Sequence, residues 1–380
     1  MIPRLFSIAL VAVPTMFCPP NPALADAPAA PSVAARAWLL MDTASGQTLA
    51  SHSEHEHAEP ASLTKLMTAY LTFKALKAKT LRLEQTVPVS ERAWRAQGSR
   101  MFIEPDKPVS VEELIQGMIV QSGNDACIAL AEAIAGSEEA FVQMMNREAR
   151  RLGMQDTNFV NSTGLPASKH YSSAHDLGLL AAALLRDFPE EYRYYSIRSF
   201  RYNSISQRNR NRLLWLDPNV DGVKTGHTEQ AGYCLIASAK RGTRRMLAVV
   251  LGTASESIRA RESQKLLNFG FQFYDSARLY EKGQTVSTLP VWKGSQRTIK
   301  AGLATDLAVS VPRGMADKVQ ADLISLQPLL APVSAGQRVG TLRLALESKP
   351  LGSYPVVALE SVAVAGFFGR TWDTVRLWFK

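Results

Sequence analysis

Residues 59–70 read EPASLTKLMTAY, and the fold turns on what Ser62 does in them. Ser62 stands two residues after Pro60 and three before Lys65. Leu63, Leu66, Met67, Tyr70 and Phe73 recur with helical period, so the stretch packs against a core in either case. A serine near a helix start ordinarily caps it, its hydroxyl taking an orphan N–H, and Lys65 would then lie on the surface. The second reading uses the same helix. Residues three apart share a face, so the Ser62 hydroxyl and the Lys65 amine can meet. A lysine among apolar neighbours loses solvation and its pKa falls, which makes it a base for an otherwise weak nucleophile. S-x-x-K alone does not choose between cap and nucleophile.

The rest of the chain supplies the context. Its 380 residues suggest two domains, and 46% hydrophobic residues can bury a sizeable core. The net charge of +9 favours an anionic partner. No basic run interleaves with aromatics and no zinc-finger spacing is present, so nucleic acid is the weakest candidate. Arg4, the apolar run LFSIALVAVPTMF and Ala23-Leu24-Ala25 read as an export signal over residues 1–25. Cys18 would leave with it. Cys127 and Cys234 remain, both inside apolar runs, and are expected as two free, buried thiols rather than a disulfide.

AWLLMDTASGQTLAS predicts a hairpin turning at Ser45-Gly46. The polar loop after it carries His52, His55 and His57; imidazoles can bind metal, but no fourth ligand lies nearby and a solvated loop is expected. Ser110 and Glu113 form a capping-box pattern, and the helix they start breaks at Ser122-Gly123-Asn124 before a second apolar helix that stops at Gly136. SGN therefore sits on a loop pinned by two buried helices. His175, in the first turn of another capped helix, is expected to be structural. Lys224-Thr225-Gly226 falls on a strand before two apolar runs that form a hairpin, and RESQKLLNFGFQFY closes this half as a helix.

Beyond Ser276 short apolar runs alternate with Gly, Pro and charged turns, which predicts a small all-β domain over residues 277–363. In the tail, 364–380, Phe368, Trp372, Val375 and Phe379 share helical spacing, with Arg370, Asp373, Arg376 and Lys380 on other faces. The segment is too short to span a bilayer and suits a helix lying in an anionic membrane surface.

Three motifs thus stand in order: S-x-x-K at Ser62, S-x-N at Ser122 and K-T-G at Lys224. Together they form the signature shared by penicillin-binding proteins and serine β-lactamases. PASLTKLMTAY, IVQSGNDACIALAEAIAG, DGVKTGHTEQAGYCLIASA and ESQKLLNFGF closely resemble the low-molecular-mass penicillin-binding proteins that are D-alanyl-D-alanine carboxypeptidases. The resemblance runs from about Ala35 to Lys380. It implies an α+β catalytic domain over 26–276, with an antiparallel sheet flanked by helices, plus the β domain and the amphipathic tail. It implies peptidoglycan stem peptides as substrate, β-lactams as inhibitors, no metal or cofactor, and a place on the periplasmic face of the cytoplasmic membrane.

The resemblance also implies roles. Ser62 is the nucleophile, Lys65 its base, and Ser122 relays a proton to the leaving amine. Asn124 holds Lys65 and the substrate amide, and Lys224 tunes Ser122. The backbone N–H groups of Ser62 and His227 form the oxyanion hole, beside Gly226. Thr225 and Arg259 receive the terminal carboxylate, with Arg261 offering a competing register, and Arg210 matches a further arginine near the site. Three rivals stand beside this reading: a β-lactamase, a D,D-endopeptidase and a non-catalytic peptidoglycan-binding scaffold. The E-x-x-x-N pattern with which class A β-lactamases release the acyl group is missing between Ser122 and Lys224.

Overall fold

The computed structural model describes residues 29–367 and Asp373. The export segment lies outside them, and so does the tail, apart from residues 364–367 and Asp373. Ala37–Asp42 (β1) and Thr48–His52 (β2) form the expected hairpin. Every residue of β1 is buried, because the strand is internal to a sheet covered on both faces. Val220–Thr228 (β3), Gly232–Arg241 (β4) and Arg244–Thr253 (β5) complete five antiparallel strands in the order β2-β1-β5-β4-β3.

Strand parity divides the core in two. Leu39 and Met41 face the helices Lys65–Lys77 (α1), Val111–Gln116 (α2), Asn124–Ala135 (α3), Glu138–Arg151 (α4) and Ala174–Asp187 (α5). Trp38 and Leu40 face Glu256–Phe273 (α6), meeting Leu266, Leu267 and Phe271. The antiparallel sheet between helices is the expected one. α1 is buried continuously from Lys65 to Phe73, so it is a central helix with no wet face in that stretch. The Ser110–Glu113 capping box forms, with Ser110 Oγ accepting from Glu113 N at 3.3 Å and Glu113 accepting from Ser110 N at 3.0 Å. α2 then passes into a wider π-helical turn, Gly117–Gln121, which ends at Ser122.

The chain leaves α6 at Phe273 and enters a strand, Tyr274–Tyr280 (β6), directly. β6 pairs with Leu307–Pro312, and the remaining strands of this half build a six-stranded sheet around their own core of Ile299, Val309, Val339, Leu342 and Val356. The all-β architecture is as predicted. The two halves are fastened at the β1–β2 turn. Asp42, fully buried, accepts from Ser276 Oγ and from Ser310 Oγ at 2.8 Å, and Ser310 N donates to Gln47 at 2.6 Å.

Candidate active site

Ser62 lies in a 3₁₀ turn, Ala61–Thr64, that leads into α1. It caps nothing: no side-chain cap bond closes the start of the turn or of the helix. The hydroxyl is instead engaged by Lys65, whose Nζ lies 3.1 Å away. Ala61, just before it, has φ of 48°, a left-handed conformation that costs a non-glycine residue about 1–3 kcal/mol. Packing holds it there, since Ala61 is buried.

The turn is braced by the loop at Val160–Leu165. Gly164 has φ of +85°, and a Cβ there would stand 1.8 Å from the Ala61 carbonyl oxygen. Gly164→Ala is therefore expected to cost about 2–5 kcal/mol or to displace Ser62. Urea unfolding and the rate of covalent penicillin labelling will separate the two outcomes. His170 ties the same loop to the turn. Its Nδ1 accepts from Val160 N at 3.1 Å, so in the neutral ring Nε2 carries the proton and donates to Thr64 Oγ1 at 2.8 Å. Burial, aided by the charge of Lys65, pushes His170 down to about 4 and keeps it neutral.

Lys65 is 2% exposed and its ammonium has three acceptors: Ser62 Oγ, Asn124 Oδ1 at 2.7 Å and the Thr163 carbonyl. Burial first, then the charge of Arg210, lowers its pKa from 10.5 to about 8. Asn124 Oδ1 and the Thr163 oxygen accept only. When Lys65 loses a proton it keeps two N–H groups for them, and the lone pair faces Ser62.

Ser122 ends the π turn with φ of 67° and so projects its hydroxyl from between two buried helices. Lys224, on β3, donates to it at 2.9 Å. Lys224 is buried and its pKa is driven well down by burial and by Lys65. β3 reaches this position because Gly226 has no side chain: a Cβ would lie 3.1 Å from the Pro60 carbonyl oxygen and 3.2 Å from Ala61 Cβ. The close approach sets K-T-G beside the Ser62 turn.

A cleft of 700 Å³ opens over these groups, lined by Ser62, Ser122, Thr225, Gly226, His227, Arg210 and Arg259 among others. Arg259 is 5% exposed and reaches the Gly226 carbonyl at 3.4 Å, whereas Arg261 pairs with Glu262 on the outer side of α6. Of the two arginines, Arg259 is the one that lines the cleft. His227 is exposed and lies against Tyr233, ring centroids 4.1 Å apart. A larger hollow of 900 Å³ near Lys77 and Tyr194 holds none of these residues.

Asp125, unremarked in the sequence, is buried and fastens the far lip of the cleft. It accepts from the N–H groups of Met101, Phe102 and Ile103 at 3.0, 2.8 and 3.3 Å. Its only sequence signal is a position in the first turn of α3. His55 meets Asp156 at 2.8 Å, His57 stacks on Tyr171, and His175 lies against His55 and Asp176, all outside the cleft. Cys127 and Cys234 are free and buried.

A helix-flanked antiparallel sheet with a serine–lysine pair at its edge, faced by a serine on an interhelical loop and a lysine on the neighbouring strand, defines the class shared by penicillin-binding proteins and serine β-lactamases. Comparison with known proteins narrows it. The family described as D-alanyl-D-alanine carboxypeptidase matches residues 24–255, and the C-terminal domain of penicillin-binding protein 5 matches residues 274–364. The D-alanyl-D-alanine carboxypeptidase DacC of Escherichia coli (strain K12) is 44% identical over 96% of this chain and 93% of its own length. The crystal structure of penicillin-binding protein 5 from Haemophilus influenzae superimposes with a TM-score of 0.85 at 38% identity, covering 88% of this chain and 99% of that one. Penicillin-binding protein D2 from Listeria monocytogenes in its ampicillin-bound form gives 0.59 at 29% identity, over 64% of this chain and 100% of that one. The chain belongs to the D-alanyl-D-alanine carboxypeptidase family of low-molecular-mass penicillin-binding proteins. It is an enzyme, a serine-type carboxypeptidase.

Proposed function

We propose that the enzyme removes the terminal D-alanine from peptidoglycan stem pentapeptides through an acyl-enzyme on Ser62. The observation that carries this is the bond from Lys65 Nζ to Ser62 Oγ in a buried site that lowers the pKa of Lys65 to about 8. Ser62 Oγ attacks the carbonyl carbon of the penultimate D-alanine and its proton passes to Lys65. The oxyanion that forms is received by the backbone N–H groups of Ser62 and His227. As the C–N bond breaks, Ser122 gives its proton to the departing amine and recovers the one taken up by Lys65, which is neutral again for the next step, while Lys224 beside it stabilises the Ser122 oxygen. Thr225 and Arg259, with Arg210 at the rim, hold the terminal carboxylate. Asn124 orients Lys65 and the substrate amide. Water then cleaves the ester and frees the shortened peptide.

β-Lactams present the same acyl geometry and are expected to acylate Ser62; a relative of the same fold is known in an ampicillin-bound form. Release should be slow. Glu256 is the one carboxylate among the described residues lining the cleft, and it is paired with Arg259. Glu138, next in reach of the Thr163 loop, is taken up by Ser162 and Arg92. The test is D-alanine release from a peptide ending in L-Lys-D-Ala-D-Ala; a folded enzyme that releases none, yet cuts cross-linked dimer, would be the endopeptidase, and one that does neither would be the scaffold.

Export by residues 1–25 and attachment by residues 364–380 would place the β domain between the membrane and a catalytic domain, 26–276, facing the wall. No helix among the described residues is long and apolar enough to cross a membrane. Deleting 364–380 is expected to move the protein from the membrane to the soluble fraction while leaving D-alanine release intact. Retention on membranes would rule out the tail as anchor.

A further inference from the structure

The carboxylate end of the cleft contains an anion of the protein's own. Glu256 opens α6, lines the cleft beside Arg210 and Arg259, and places Oε1 2.9 Å from Arg259 Nη2. Its side chain is 46% exposed while that of Arg259 is 5% exposed, so the pair has one wet and one buried partner. Arg259 is held from the other sides by the Gly226 carbonyl and by the face of Tyr233, 5.5 Å from the ring centroid. Among the described residues no carboxylate closes a salt bridge to Arg210, and Glu256 is the carboxylate whose charge it feels. Both arginines thus share one internal counter-anion, at the place where an incoming carboxylate must land.

We propose that Glu256 is a specificity determinant that reads the charge of the terminal residue. A substrate carboxylate has to share Arg259 with it. One carboxylate is accommodated, because Arg259, Arg210 and Thr225 together outweigh Glu256. A second carboxylate on the leaving residue, as in a terminal D-Glu, meets the like charge of Glu256, with Arg259 and Arg210 already engaged by the first. Discrimination of this kind comes from a built-in repulsive element rather than from an added attraction. The inference rests on the assignment of Arg259 to the terminal carboxylate made under Proposed function.

Glu256 also sits in the first turn of a helix, where an acid stabilises the helix dipole whatever the ligand does. The experiment must therefore read binding apart from stability. Wild type, Glu256→Gln, Glu256→Asp and Arg259→Gln are compared on acetylated L-Lys-D-Ala-D-Ala and L-Lys-D-Ala-D-Glu, with thermal unfolding of each. In Glu256→Gln, KM for the D-Ala peptide is expected to fall about three- to tenfold with kcat within about twofold, the size of a partly exposed charge interaction. The preference for terminal D-Ala over D-Glu should shrink by about tenfold or more, and Glu256→Asp should retain it. An unchanged preference, or a KM that rises as the protein loses stability, would make Glu256 only a helix-end acid and overturn the proposal. Arg259→Gln separates the two levels. If it raises KM while Glu256→Gln leaves the preference alone, the inference on Glu256 falls by itself. If it leaves KM unchanged, the carboxylate assignment falls and takes the inference with it.

Discussion

Ser62→Ala is expected to reduce D-alanine release from a peptide ending in L-Lys-D-Ala-D-Ala by about 10⁴-fold or more, and to abolish covalent labelling by penicillin. The size follows from what the side chain does. Among the described residues Ser62 is the hydroxyl bonded to Lys65, while Ser122 is bonded to Lys224 and Thr64 to His170. The loss should come without unfolding. Ser62 Oγ makes one bond, to Lys65, and the residue is half-buried, so its removal costs about 1 kcal/mol or less of stability. Mass spectrometry of the penicillin adduct and a melting curve on the same sample decide the matter. A variant that melts like wild type and carries no adduct identifies the nucleophile. A variant that still releases D-alanine would return Ser62 to a conformational role, although the structure already shows that it caps no helix.

Much of this site was legible because its groups are side chains at short, fixed spacing. Ser62 and Lys65 are one turn apart, so local geometry alone brings them together, and the motif that carries Ser122 also carries Asn124, which reaches the same Lys65. The sheet was legible through turn chemistry and apolar runs, which place Lys224 on β3 before any pairing is known. Three contributions were hidden. The third partner of Lys65 is the Thr163 carbonyl, and a backbone acceptor carries no mark of residue type. The left-handed φ of Ala61 arises from tertiary packing against Gly164 and Gly226, far along the chain. Asp125 and Glu256 carry no sequence mark beyond a place in the first turn of a helix. One holds the 101–103 lip and the other pairs with Arg259, and neither role follows from position on its own helix. The choice between Arg259 and Arg261 needed the orientation of α6 against the sheet. Once Glu256 and Arg259 are seen to share a face at i, i+3, Arg261 must point elsewhere.

Lys65→Arg is expected to lower kcat/KM by about 10³-fold or more although it preserves the positive charge. Arginine stays protonated, so it can satisfy Asn124 and the Thr163 carbonyl but cannot accept the Ser62 proton. The wild-type pH profile provides the complementary test. With a pKa of about 8 rather than 10.5, about a tenth of Lys65 is neutral at pH 7, some 300-fold more than an ordinary lysine would supply. A base acts when unprotonated, so kcat/KM should rise with pH through a midpoint near 8 and level off above it. Acylation by penicillin should follow the same limb, because it needs the same proton removed. Lys224 lies close enough to shift with Lys65, and the midpoint seen in kinetics belongs to the pair. Lys224→Arg separates them by fixing the charge on β3. If the rising limb survives there, at whatever rate, the titrating base is Lys65. If it vanishes, the limb belongs to Lys224. A wild-type rate that stays flat or falls as pH rises from about 6 to 9 would mean that Lys65 works as a cation, and the proton of Ser62 would need another acceptor.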